Sequence, residues 1–216
     1  MMIQGKPMIL RVADKCTQVV GKDNVVISTP DDEIIDVCKK NDLLWTKSSE
    51  QCRTGTDRLS EFIKENNDSF IVNVQGDEPM ISTKIIHDFI EEVKKKQETT
   101  IGISRIFDEK LVFEKSVVKV AISENSLIYA SRNPLPVASD KGDLTYFKHT
   151  GIYGFSREDL VFFGVTEAGP LEIAENIEIL RLIENQRKVS VVEIPNYGRA
   201  VDTIADFEFV NKYGSF

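Results

Sequence analysis

The sequence predicts an α/β fold, a mostly parallel, doubly wound sheet with a β-rich sub-lobe, organised as one domain over residues 1–216. Three observations carry this expectation. Short apolar runs alternate with longer stretches of helical period, as βα units require. One run, Phe70-Ile71-Val72-Asn73-Val74, is too short for a stable helix and reads as a strand buried on both faces. From Val117 to Phe155 the alternation breaks, and this stretch is the expected sub-lobe.

Gly5-Lys6-Pro7 leads into a helical pattern through Met8, Ile9, Val12, Ala13, Cys16 and Val19. No strand stands before it, although a doubly wound fold normally starts with one. Asn24 to Ser28 reads as a strand, Thr29-Pro30-Asp31-Asp32 as the cap of a helix to about Asn41, and Leu43 to Thr46 as a second strand. Arg53-Thr54-Gly55-Thr56-Asp57-Arg58 then opens a helix carrying Leu59, Phe62 and Ile63. A glycine between threonines and two arginines could cradle a phosphate or a polar base edge. Helix capping by Thr56 or Asp57 accounts for the same residues.

The central run stops in Gln75-Gly76-Asp77-Glu78-Pro79. Ligands of open parallel sheets bind just past the carboxyl ends of the strands, so Gln75 and Asp77 would stand on that rim. Gly76 would leave the ligand unobstructed. An ordinary strand-to-helix turn, with acids near a helix N-terminus, explains the same residues. The helix proposed by Ile85, Ile86, Phe89, Ile90 and Val93 follows, then a strand from Thr100 to Ile106. Val117 to Ile122 and Leu127 to Ser131 form a hairpin across Glu124-Asn125. Two prolines exclude Ser131 to Pro136 from helix and central strand. Lys148 to Phe155 is a strand whose His149 and Tyr153 share a face. Pro170 to Ile183 reads as one helix, with Leu171, Ala174, Ile177 and Leu180 on its apolar stripe and Glu172, Glu175 and Glu178 on a solvated edge. Val189 to Ile194 is the last strand, Val201-Asp202-Thr203 ends the next loop, and Asp206 to Val210 starts a closing helix.

A net charge of -8 argues against a nucleic-acid footprint or an anionic membrane surface. No apolar run reaches the length of a membrane span, and the N-terminus lacks a signal-peptide core, so a cytoplasmic setting is expected. Three cysteines without C-x-x-C spacing look like reduced thiols. With two histidines, a His-rich metal site is out of reach, and any metal should be a hard cation held by carboxylates.

Seven segments, GKP, TGTDR, VNVQGDEP, SRNPLP, KHTGIYGF, PLEIAENIEILR and VDT, occur in fixed order and at fitting distances. Together they closely resemble CMP-Kdo synthetase, the deoxy-manno-octulosonate cytidylyltransferase of lipopolysaccharide synthesis, from Gly5 to about Val210. The resemblance implies a nucleotidyltransferase-like fold and attack of the anomeric hydroxyl of Kdo on the α-phosphorus of CTP, releasing pyrophosphate. It implies Mg²⁺ as cofactor, held by Asp77 and Asp202, and a catalytic role for these two and Lys6. Lys6, Arg58, Gln75, Gly76 and Asp77 would meet the nucleotide. Gln75, Arg132, His149, Tyr153 and Glu178 would meet the acid sugar. A homodimer through the 117–155 sub-lobe is also implied.

Three positions depart from the family pattern. The family opens with a strand and an Arg-bearing loop, roughly IPARxxSxRxPGKP, of which only Met2-Ile3-Gln4-Gly5-Lys6-Pro7 corresponds here. The expectation is therefore an N-terminally truncated chain and a poor catalyst. Pro30 follows Thr29 where the family reads T-D-D, and Ile179 stands where Gln is common, predicting a looser fit around the sugar. Two further readings stay open: the same reaction on an amino-Kdo or related acid sugar, and a dimeric binding subunit with impaired catalysis.

Overall fold

The computed structural model describes residues 1–137 and 144–216. A two-residue hairpin, β1 (Met2–Ile3) with β2 (Lys6–Pro7), precedes α1 (Met8–Val20). Next come β3 (Val26–Thr29), α2 (Asp32–Lys40), β4 (Leu44–Lys47) and α3 (Gly55–Glu65). α3 starts at a capping box: Thr54 accepts from the Asp57 N–H, and the Asp57 carboxylate accepts from the Thr54 N–H. The cap thus falls on Thr54, not on Thr56 or Asp57.

β5 (Phe70–Val74), α4 (Thr83–Lys96), β6 (Thr100–Arg105) and the short α5 (Glu109–Phe113) follow. The hairpin of β7 (Lys119–Ser123) and β8 (Ser126–Ser131) turns through positive φ at Glu124 (48°) and Asn125 (62°). β9 (Phe147–Ser156), α6 (Arg157–Val165), α7 (Pro170–Glu175), α8 (Leu180–Glu184), β10 (Ser190–Glu193) and α9 (Ile204–Tyr213) complete the chain.

The main sheet has the order β5-β9-β6-β10-β8-β7, and it is mixed rather than mostly parallel. β9 runs antiparallel between β5 and β6, and of the pairs in this sheet only β6 with β10 is parallel. An apolar run has no direction readable from its composition, so the insertion was not legible. Part of the expected 117–155 sub-lobe, residues 138–143, lies outside the described residues, and the strands on either side of it belong to the main sheet. β7 and β8 end the main sheet, and β9 lies inside it.

β3 and β4 form a separate parallel pair. α1 packs across both sheets: Ile9 and Ala13 meet Ile27 of β3, while Cys16 and Val19 join Val72 and Val74 of β5. β5 is an edge strand, and each of its five residues is half-buried instead of enclosed. Gln75 N–H donates to Gly151 O and Arg157 N–H to Ser69 O. This phase turns the backbone groups of Ile71 and Asn73 toward β9 and those of Phe70, Val72 and Val74 toward the open edge. On β3 the Ser48 N–H bond to Thr29 O sets the same alternation, leaving Val26 and Ser28 facing away from β4.

The main core lies between the sheet and α3, α6 and α8, around Ile63, Ile101, Phe155, Phe163, Leu180 and Leu182. A second core, under α4, holds Ile86, Phe89, Val93 and Ile152. The predicted helix from Pro170 to Ile183 is broken at Asn176, which adopts φ 53°, so Leu171 is exposed while Ile177 and Leu180 are buried. The three glutamates are not a solvated edge. Each has a partner described below.

Candidate active site

Strand ends and loops of the main sheet enclose an open cleft of about 660 Å³. Its floor is the turn after β5 and the middle of β9. Gln75 N–H bonds to Gly151 O (2.8 Å), and Gly151 N–H donates to the Glu78 carboxylate (2.9 Å). Val201 N–H donates to Asp77 O (2.9 Å), which brings the Val201-Asp202-Thr203 loop against the turn. The sequence-predicted pair Asp77 and Asp202, 125 positions apart (202 − 77), thus lines one cleft.

The electrostatics of this rim are unusual. Asp77 Oδ1 is buried and has no hydrogen-bond partner. Burial, and then the charge of Asp202, pushes the Asp77 carboxyl up to about 6. Asp202 is itself raised, by burial and then by Asp206. Glu78 is pushed up to about 7 by burial and then by Asp77. Two carboxylates that repel each other, one with an orphaned oxygen, fit a divalent cation, whose charge would reverse both penalties. Among the described residues no group of three or more His, Cys, Asp or Glu side chains forms a metal cluster, so this pair would share its ion with substrate oxygens.

Across the cleft stand His149 and Tyr153, with ring centroids 4.7 Å apart in a T-shaped contact. Burial holds His149 down to about 4, so the imidazole is neutral at physiological pH, and its Nε2 is buried without a partner. Tyr153 is raised by burial and receives a long hydrogen bond from Gln75 Nε2 (3.4 Å). Glu178, placed by the break after α7, accepts from Thr56 N–H at 3.1 Å. Arg132 lines the same cleft, but its guanidinium already donates to the carbonyls of Glu175, Lys115 and Asn176. Glu175 in turn accepts from Ser131 Oγ and Arg132 N–H. Glu172 is buried against Arg181, which forks onto it at 2.6 Å through both Nε and Nη2 and reaches Asp57 at 3.2 Å. This ties the 53–57 loop to the segment carrying Glu178.

Four of the residues singled out in the sequence do not line this cleft. Lys6 is ion-paired with Asp14 and does not line the cleft. Arg58 faces a second cavity with Ser28, Thr46, Ser48 and Lys64. Gly76 makes room for α1, since a Cβ there would sit 3.1 Å from Ile9 Cδ1. Ile179 is buried in the main core and cannot loosen the sugar side. Conversely, Lys148 and Arg199 line the cleft and were not singled out, while Arg53, one of the two arginines flanking Gly55 in the candidate phosphate cradle, lines it as well. Lys148 donates to Gly198 O (3.2 Å) and Arg199 to Asp206 (3.0 Å). The Lys148 signal was present, since it adjoins His149 on a strand, but sequence spacing put it on the opposite face.

A mixed α/β sheet with a paired-carboxylate rim defines the class: a nucleotidyltransferase-like fold. The chain belongs to the cytidylyltransferase family, whose sequence profile matches residues 1–189. Among its relatives, the 3-deoxy-manno-octulosonate cytidylyltransferase of Geobacter sulfurreducens is 34% identical over 222 residues, covering 96% of this chain and 89% of that protein. The enzyme of the same name from Solibacter usitatus is 31% identical over 214 residues, covering 97% and 85%. A solved CMP:2-keto-3-deoxy-manno-octonic acid synthetase complexed with CTP superposes with a TM-score of 0.90 at 28% identity, covering 98% of this chain and 89% of that one. The 4-diphosphocytidyl-2C-methyl-D-erythritol synthase of Anaerococcus prevotii shares the fold alone, at 15% identity and a TM-score of 0.64. No described helix is long and apolar enough to cross a membrane.

Proposed function

We infer that this chain transfers CMP from CTP to the anomeric hydroxyl of Kdo. The hydroxyl oxygen attacks the α-phosphorus, the bond to the β-phosphate oxygen breaks, and pyrophosphate leaves. The observation that carries the reading is the buried, partnerless Oδ1 of Asp77 beside Asp202, in the same cleft as His149 and Tyr153. A magnesium ion bound there would supply charge neutralisation at the triphosphate, and Asp77 and Asp202 are the residues that would hold it.

The remaining groups divide between the two substrates. Neutral His149, Tyr153 and Glu178 offer donors and acceptors suited to sugar hydroxyls, with Gln75 between them and the nucleotide. Arg132 and Lys148 supply positive charge for the sugar carboxylate, and three of the five N–H donors of Arg132 are already held by carbonyls. Arg53 stands on the cleft wall for the CTP side. Lys6 serves CTP only by exchanging Asp14 for a phosphate, and Arg58 only by leaving its own cavity. A homodimer through the β7–β8 end of the sheet is part of the same reading, supported by the exposed Ile128 on that hairpin.

The test is pyrophosphate release from CTP in the presence of Mg²⁺ with Kdo, its amino analogue or no sugar. Kdo-dependent release is expected, with the amino analogue slower. Release that ignores the sugar, or none with any sugar, overturns the assignment.

A further inference from the structure

The roles inferred above leave one buried acid of the cleft without a task. Glu78 is 6% exposed, and among the described residues its carboxyl neither pairs with a cation in a salt bridge nor caps a helix. Instead it accepts the N–H of Gly151, at 2.9 Å, in the middle of β9. The carbonyl of the same Gly151 accepts from Gln75 N–H at 2.8 Å. Both backbone groups of one residue are therefore held by a single turn, one by its main chain and one by a side chain standing in for a strand. Gly151 lies two residues after His149 and two before Tyr153. A clamp at this position sets the height of both rings above Asp77.

A side chain at 151 would displace the clamp. A Cβ on Gly151 would stand 2.5 Å from Glu78 Cγ, 2.6 Å from Glu78 Oε1 and 3.0 Å from Gln75 Oε1. The absent side chain is what lets the carboxyl reach the N–H. We propose that Glu78 is a positioning residue that locks β9 to the Asp77 turn through Gly151, so that His149 and Tyr153 meet the acceptor sugar at a fixed distance from the reacting phosphate. This deepens the transfer reaction inferred above and rests on it. Glu78 acts through Gly151 and touches no substrate itself.

The role needs an acceptor, not a charge, which separates it from a third metal ligand. Glu78→Gln keeps an oxygen for the Gly151 N–H, whereas Glu78→Leu removes it. We expect Glu78→Leu to raise the KM for the sugar about tenfold, as loss of a buried hydrogen bond implies, with the KM for CTP within about twofold. Glu78→Gln should restore the sugar KM to near the wild-type value at an unchanged Mg²⁺ requirement. Amide exchange supplies a readout independent of activity: Gly151 should be protected in the wild type and in Glu78→Gln, and exposed in Glu78→Leu. If Glu78→Leu does not fold, Gly151→Ala tests the same clamp from the other side and should reproduce the sugar-specific rise. The proposal is overturned if Glu78→Gln is as damaged as Glu78→Leu, if its Mg²⁺ requirement rises, or if Gly151 loses protection while the sugar KM stays put. Failure of the wild type to release pyrophosphate with Kdo would instead overturn the transfer reading, leaving the amide result to judge the clamp.

Discussion

The two sides of β5 behave as different kinds of structure. On the β9 side every ladder group is engaged, glycines at 151 and 154 let neighbouring side chains close in, and the site's carboxylates and rings converge. On the other side, β3 and β4 stand as a separate pair, and the facing edges of β3 and β5 carry unpaired backbone groups. Of the residues assigned to the site, Gln75, Asp77, Arg132, His149, Tyr153, Glu178 and Asp202 line one cleft. Lys6 and Arg58, which lie toward the β3–β4 pair, and Gly76 do not.

The largest effect should come from the paired side. Asp77→Asn should lower turnover by about 100-fold or more, comparable with losing a main electrostatic stabiliser, while Lys6→Ala should act mainly on the KM for CTP. Steady-state kinetics of the two variants check this, and an equal fall in turnover for both would erase the distinction between the two sides.

Amide exchange reads the same boundary directly. Val26, Ser28, Val72 and Val74 should exchange roughly tenfold or more faster than Ile27, Thr29, Ile71 and Asn73, their neighbours on the same strands. Uniform protection along β5 would show that its outer edge is covered in solution.

Within the cleft, Ala at His149, Tyr153 or Glu178 should raise the apparent KM for the acid sugar by about tenfold and leave that for CTP nearly unchanged. Parallel losses for both substrates would place these residues on the nucleotide instead.

The smallest effect concerns pH. His149 titrates at about 4 in the folded chain against an ordinary 6.5, so below 6.5 the unfolded chain takes up a proton that the folded one refuses. Its contribution to stability is present above pH 6.5 and is lost as pH falls toward 4. Asp77 and Glu78, raised to about 6 and about 7, act in the opposite sense, since the folded chain holds their protons longer as pH rises. The Tm difference between His149→Gln and the wild type should therefore shift in favour of the variant by a few degrees, roughly, between neutral and mildly acidic pH. A constant difference across that range would mean that the imidazole protonates freely.

Much of this was legible in the sequence because it depends on local pattern. The strand ending at Val74, the helix beginning near Thr83 and the hairpin across Glu124-Asn125 follow from periodicity and turn chemistry. Asp77 and Asp202 were legible as acids just past strand-like runs. What escaped depends on contacts distant in sequence. The place of β9 in the sheet is fixed by its neighbours, and the break at Asn176 hides inside an unbroken helical period. Arg132 looked like a free cation until three carbonyls claimed it. Glu78 sat in the quoted motif, yet its partner lies 73 residues away.

The central claim is that Asp77 and Asp202 act as one unit on the reacting phosphate. A double-mutant cycle of Asp77→Asn and Asp202→Asn in Kdo-dependent pyrophosphate release tests it most directly. If the two carboxylates hold one ion, the double variant should be no slower than the worse single variant. Losses that multiply across the cycle would show two independent contributions and contradict a shared site.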